Sequence, residues 1–124
     1  MIAFVILTML VSGASNTRPI SAGMEVPNAI VKLHNAYVLC QDANFHVQRV
    51  SDKRSFVAEV EKAIAACQEQ RVTLMQQAES VLTSAPDYGN QMKRKLALCE
   101  AFDSYDELRR AMALGAQTYK VTCR

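Results

Sequence analysis

Residues 55–83 read SFVAEVEKAIAACQEQRVTLMQQAESVLT, and their spacing decides the fold class. Val57, Val60, Ile64, Cys67, Leu74, Ala78 and Val81 recur in a 3-4-3-4 rhythm. That rhythm is the seam of a long helix packed against near-antiparallel neighbours. Ser55 is the expected N-cap. Arg71 falls on the same stripe and interrupts it. Its stem is expected to pack at the core edge while the head reaches water. The alternative is a specific polar contact inside the bundle.

The flanking segments carry the same period. Pro27 suits a first helical turn, where a missing N–H costs nothing. Ile30, Leu33, Tyr37, Cys40 and Val47 then predict a helix over about 28–50. Ser51, Asp52, Lys53 and Arg54 read as a short polar turn. Residues 84–90 (SAPDYGN) collect the strongest turn signals in the chain. A third helix is predicted from there to about Leu114, with Met92, Leu96, Cys99, Phe102, Leu108 and Met112 as its apolar face. Gly115 is a natural C-cap. Short connections force antiparallel neighbours. With no Trp, 4 Gly and 3 Pro, turn residues are too few for a sandwich or barrel of short strands. The predicted fold is all-α, a small antiparallel bundle of three to four long helices with two disulfides.

At 124 residues the chain has room for one domain. The apolar run over residues 2–11 (IAFVILTMLV) is about half of the roughly 20 residues that a bilayer span needs. Its length and the small residues Ser12, Gly13, Ala14 and Ser15 fit a signal peptide, although the n-region has no Lys or Arg. Residues 1–14 are therefore expected to be a leader, with Ala22 as a second cleavage position. Residues 15–26 show no periodicity and read as a flexible N-terminal segment. Residues 27–124 make the helical domain. The 14 basic and 12 acidic residues leave a formal charge of +2, which argues for no nucleic acid and no membrane surface as partner.

Cys40, Cys67, Cys99 and Cys123 are the four cysteines. An even set in a small exported chain predicts two disulfides. None is in C-x-x-C spacing and no His stands at finger-like distance, so no metal and no cofactor is expected. Cys40 lies before the first turn by about as much as Cys67 lies after it. At about 1.5 Å rise per residue the two reach similar heights in an antiparallel pair. Cys40–Cys67 with Cys99–Cys123 is thus favoured, and Cys40–Cys99 with Cys67–Cys123 is the runner-up.

Candidate chemistry is sparse. His34 and His46 are too far apart on the first predicted helix to share a metal, and they read as surface residues. Asp103, Asp106 and Glu107 lie at local spacing from Arg109 and Arg110, which predicts solvated ion pairs. No catalytic residue is assigned, and no enzyme is expected. Lys93, Arg94 and Lys95 break a local rule, because the macrodipole disfavours cations in a first helical turn. They are either a solvated helix end or, beside Asp87 and Tyr88, a basic face for an acidic partner surface. Phe45, Phe56, Met75, Met92, Phe102, Tyr105 and Met112 are either core or the lining of an apolar pocket.

The plan of a leader, about 100 helical residues and four widely spaced cysteines, the last almost at the carboxyl end, resembles the anophensin and albicin type of anopheline mosquito salivary proteins. This resemblance implies a monomer secreted in saliva that acts without catalysis during blood feeding. The implied partner is a host plasma assembly, either components of the complement C3 convertase of the alternative pathway or contact-system factors. Partner binding would fall to Asp87, Tyr88, Lys93, Arg94 and Lys95. The cysteines are also similar to those of insect odorant-binding proteins with a reduced cysteine set. That likeness implies the same disulfide pairing and, as the alternative function, a secreted carrier of small hydrophobic ligands. Arg71 departs from it, standing where a full set has a cysteine. The long Cys99–Cys123 interval and the uninterrupted second helix depart as well.

Overall fold

The apolar period of the first helix does produce a helix, but a shorter one. A 3-10 turn at Asn28–Ile30 leads from Pro27 into α1, Val31–Ala43, in this computed structural model, which describes residues 17–123. The helix stops at Asn44 rather than Val50. The Asn44 side chain donates to the Cys40 carbonyl at 2.9 Å and competes with the backbone ladder. His46 therefore lies beyond α1, not on it, and a 3-10 turn follows at Val47–Arg49.

The long rod of residues 55–83 is two helices, α2 (Lys53–Ala66) and α3 (Gln68–Thr83). The cap of α2 lies three residues before the expected Ser55. Ser55 N–H donates to Asp52 Oδ1 at 2.8 Å, and Asp52 N–H donates to Ser55 Oγ at 3.0 Å, a reciprocal capping box. The break between the helices falls on Cys67, whose backbone sits at φ −101 and ψ 8. Its N–H tightens onto the Ile64 carbonyl at 3.2 Å, and Gln68 Nε2 donates to that same carbonyl at 3.0 Å.

After a 3-10 turn at Pro86–Tyr88, the chain stays helical through α4 (Gln91–Leu98), a π turn (Cys99–Asp103) and α5 (Ser104–Leu114). Gly115, at φ 71 and ψ 24, closes α5 as expected, with Ala116 N–H donating to the Ala111 carbonyl at 3.0 Å. The strands β1 (Thr17–Pro19) and β2 (Thr118–Lys120) pair antiparallel, Arg18 opposite Tyr119. Residues 17–22, within the segment expected to be flexible, form a strand and a 3-10 turn. Three-residue strands are too short to show a period in sequence. The leader expected at residues 1–14 lies outside the described residues.

The result is a small all-α bundle. α1 packs on α3 and α2, and α2 packs on α5. The main core gathers Ile30, Tyr37, Leu74, Ala78, Leu82 and Phe102, all buried. A satellite cluster holds Val60, Ile64 and Ala113 with Phe45, Phe56 and Val57 against them. The disulfides are Cys40–Cys67 and Cys99–Cys123, the favoured pairing. Among the described residues no helix is long and apolar enough to cross a membrane.

Candidate functional site

The basic edge begins at Asn90. Its side-chain oxygen accepts from Met92 N–H at 2.8 Å and Lys93 N–H at 3.3 Å, so the start of α4 is capped despite its cations. The three basic residues then part ways. Arg94 turns inward, its side chain only 15% exposed, donating to Glu79 at 3.2 Å and to the Tyr88 carbonyl at 2.9 Å. It ties the Pro86–Tyr88 turn to α3. Lys93 stays exposed, with its Nζ 5.5 Å from the centre of the Tyr88 ring. Lys95 and Asp87 are exposed as well. Tyr88 and Lys93 border a groove of about 610 Å³, shared with Leu96, Val121 and the Arg18–Glu100 ion pair.

A second polar group lies inside the bundle. Arg71 is largely covered, its side chain 16% exposed, and it makes the specific polar contact that was the alternative to the edge reading. It pairs with Asp103 and, through Nη1 at 3.2 Å, with Oδ2 of Asp106. Asp106 is buried, and its Oδ1 accepts from Tyr37 Oη and from Gln41 Nε2, each at 2.7 Å. Burial first, then this bond, pushes the Tyr37 hydroxyl well above its ordinary pKa. Asp106 is therefore no solvated partner of α5. The arginines of α5 likewise reach other helices: Arg109 donates to Asp42 at 2.7 Å, and Arg110 makes a fork with Glu61 at 2.7 and 3.0 Å. Of the ion pairs expected within α5, Arg110 with Glu107, at 3.5 Å, is the one that keeps the local spacing among the described residues.

Sequence reasoning missed Gln41 and Glu59, both buried. Gln41 follows Tyr37 by one turn on the apolar face of α1, and a polar residue there was the available signal. Its Oε1 has no hydrogen-bond partner among the described residues. Glu59 accepts from His46 N–H at 3.1 Å and holds the loop after α1. His34 is half-buried, with Nδ1 2.6 Å from the Ala101 carbonyl in the π turn. Burial lowers its pKa, against the raising effect of that bond.

The aromatic and Met residues divide into three places. Phe102 is core, and Met75 packs against it. Met92 is exposed. Phe45, Phe56, Tyr105 and Met112 come together with Val60, Asp42 and Arg109 around a pocket of about 360 Å³.

Fold and surface define the class: a small all-α bundle closed by two disulfides, with most of its arginines paired between elements. Among the described residues no group of three His, Cys, Asp or Glu is placed to hold a metal ion. No family model, curated protein or solved structure matches the chain.

Proposed function

We propose that this chain is a secreted, non-catalytic inhibitor that binds host plasma proteins during blood feeding. The target is the C3 convertase of the alternative complement pathway, with contact-system factors as the other plasma candidate. The observation that carries the reading is the edge at the start of α4. Lys93 and Lys95 project from a capped helix end beside the half-buried Tyr88, on a frame that Arg94 and two disulfides hold in place. A scaffold with two exposed cations and one aromatic ring suits a partner of acidic surface. The choice of a plasma cascade rests on the salivary resemblance in cysteine plan. The binding set of this proposal is Asp87, Tyr88, Lys93 and Lys95, with Arg94 as the residue that positions them.

The test is haemolysis by the alternative pathway, run beside kallikrein generation in plasma. The double variant Lys93→Glu with Lys95→Glu should weaken inhibition, and weaken its salt dependence, while the helical circular dichroism signal stays unchanged. Arg94 is left intact, because its loss would disturb the turn itself. Inactivity of the native chain in both assays overturns the reading. Full activity of the double variant overturns the site.

A further inference from the structure

The pocket between α1, α2 and α5 shares no lining residue with the groove beside Tyr88 and Lys93. Its floor is Val60, buried in the satellite cluster. Its walls are three aromatic rings and a thioether. Phe45 and Phe56 stand 5.5 Å apart at an interplanar angle of 56°, and Tyr105 and Met112 complete the lining. Arg109 spans the rim, 5.9 Å from the centres of both Phe45 and Tyr105, and its charge is met by Asp42 at 2.7 Å. The pocket of about 360 Å³ is at the small end for ligand sites, which suits a molecule of one or two rings.

The polar groups narrow the chemistry further. The Asp42–Arg109 pair leaves the rim without net charge, so a charged ligand would have to break it. The Tyr105 hydroxyl accepts from Arg109 Nη1 at 3.3 Å. Among the described residues its only hydrogen bond is this one, so it donates its own proton to no protein acceptor. A phenol keeps its proton at neutral pH, and burial raises the Tyr105 pKa further. We infer that this pocket binds a neutral, ring-sized apolar molecule carrying an acceptor oxygen, such as an aromatic ketone, with Tyr105 as donor to that oxygen. The site is independent of the plasma-protein reading and does not require it.

Calorimetric titration of the full chain with 2-acetylnaphthalene, and with 2-ethylnaphthalene as the matched hydrocarbon, tests both parts. The ketone should bind saturably at one site and more tightly than the hydrocarbon. Tyr105→Phe should lower ketone affinity by about three- to tenfold and leave the hydrocarbon unchanged. Met112 is 54% exposed, so Met112→Glu leaves the core alone. That variant should weaken both probes by about threefold or more, because the thioether wall is replaced by a carboxylate that stays in water. Circular dichroism checks the fold of each variant. Absence of saturable ketone binding overturns the site, as does binding indifferent to Met112→Glu. Equal affinity for ketone and hydrocarbon overturns the ligand class.

Discussion

Arg71 falls on the apolar rhythm of residues 55–83, and what it meets inside is Asp106. A carboxylate this buried needs its charge answered. Tyr37 and Gln41 answer one oxygen and Arg71 the other. The guanidinium also reaches Asp103, so one side chain of α3 fixes two acids near the start of α5. Replacing Arg71 with Met keeps the stem and removes the charge. Asp106 is then buried with neutral donors alone. Breaking a buried pair from one side costs about 3–5 kcal/mol, which urea unfolding would read as a lower midpoint at unchanged slope. Adding Asp106→Leu should recover part of that loss, since the uncompensated charge is gone. A single variant as stable as the native chain would show that the pair carries no such burden. In sequence, Arg71 was visible as an exception and its partner was not. The i+3 and i+4 rule sends Asp106 to Arg109 and Arg110, and local spacing holds no information about a residue 35 positions away. The same blindness hid Glu59, whose donor comes from the loop after α1.

At the scale of elements, α4 opens with three cations against its own dipole, and Asn90 is the compensation. It satisfies two of the N–H groups that a helix start leaves orphaned. Asn90→Ala should cost about 1 kcal/mol in urea unfolding. A loss near zero would show that the 3-10 turn before it holds the helix start unaided. The helices themselves were legible, because most seam positions are buried, although Val81 on the seam is exposed and Glu59 off it is buried. What was not legible are the places where the ladder changes. No Gly or Pro marks the break at Cys67, and the disulfide and the Gln68 side chain stabilise it instead. Nothing marks the π turn at Cys99–Asp103 either. A wider turn shifts the phase of all that follows. Met112, which the apolar pattern places inward, is exposed all the same, one turn after the core-packed Leu108 in the same regular helix. It lines the pocket with Phe45 and Phe56.

The whole molecule is fastened at both ends of the described chain. Cys99–Cys123 pins the tail to the π turn, and β2 then meets β1. Tyr119 is the centre of this clasp. It is 2% exposed, its hydroxyl donates to the Gly23 carbonyl at 2.9 Å, and Arg18 lies 5.6 Å from the centre of its ring. Arg18 also donates to the Tyr119 oxygen at 2.8 Å and pairs with Glu100. Met24 and Val26 continue the cover over the main core. This arrangement bears on the two cleavage positions that small residues suggested. Removal of residues 1–14 would retain β1. Removal through Ala22 would delete β1, take Arg18 from Glu100 and expose Tyr119. If a leader is removed, a chain that keeps the clasp is expected to begin at Ser15 rather than Gly23. Amino-terminal sequencing of the protein exported from insect cells would read Ser15 first. A chain beginning at Gly23 would contradict the clasp as a necessary part of the fold. The second check is a chain made to start at Gly23. Without strand pairing or Arg18 beside Glu100, its Tyr119 ring should become accessible to solvent. Its urea midpoint should fall below that of the chain starting at Ser15, while the Cys40–Cys67 half keeps its helical signal.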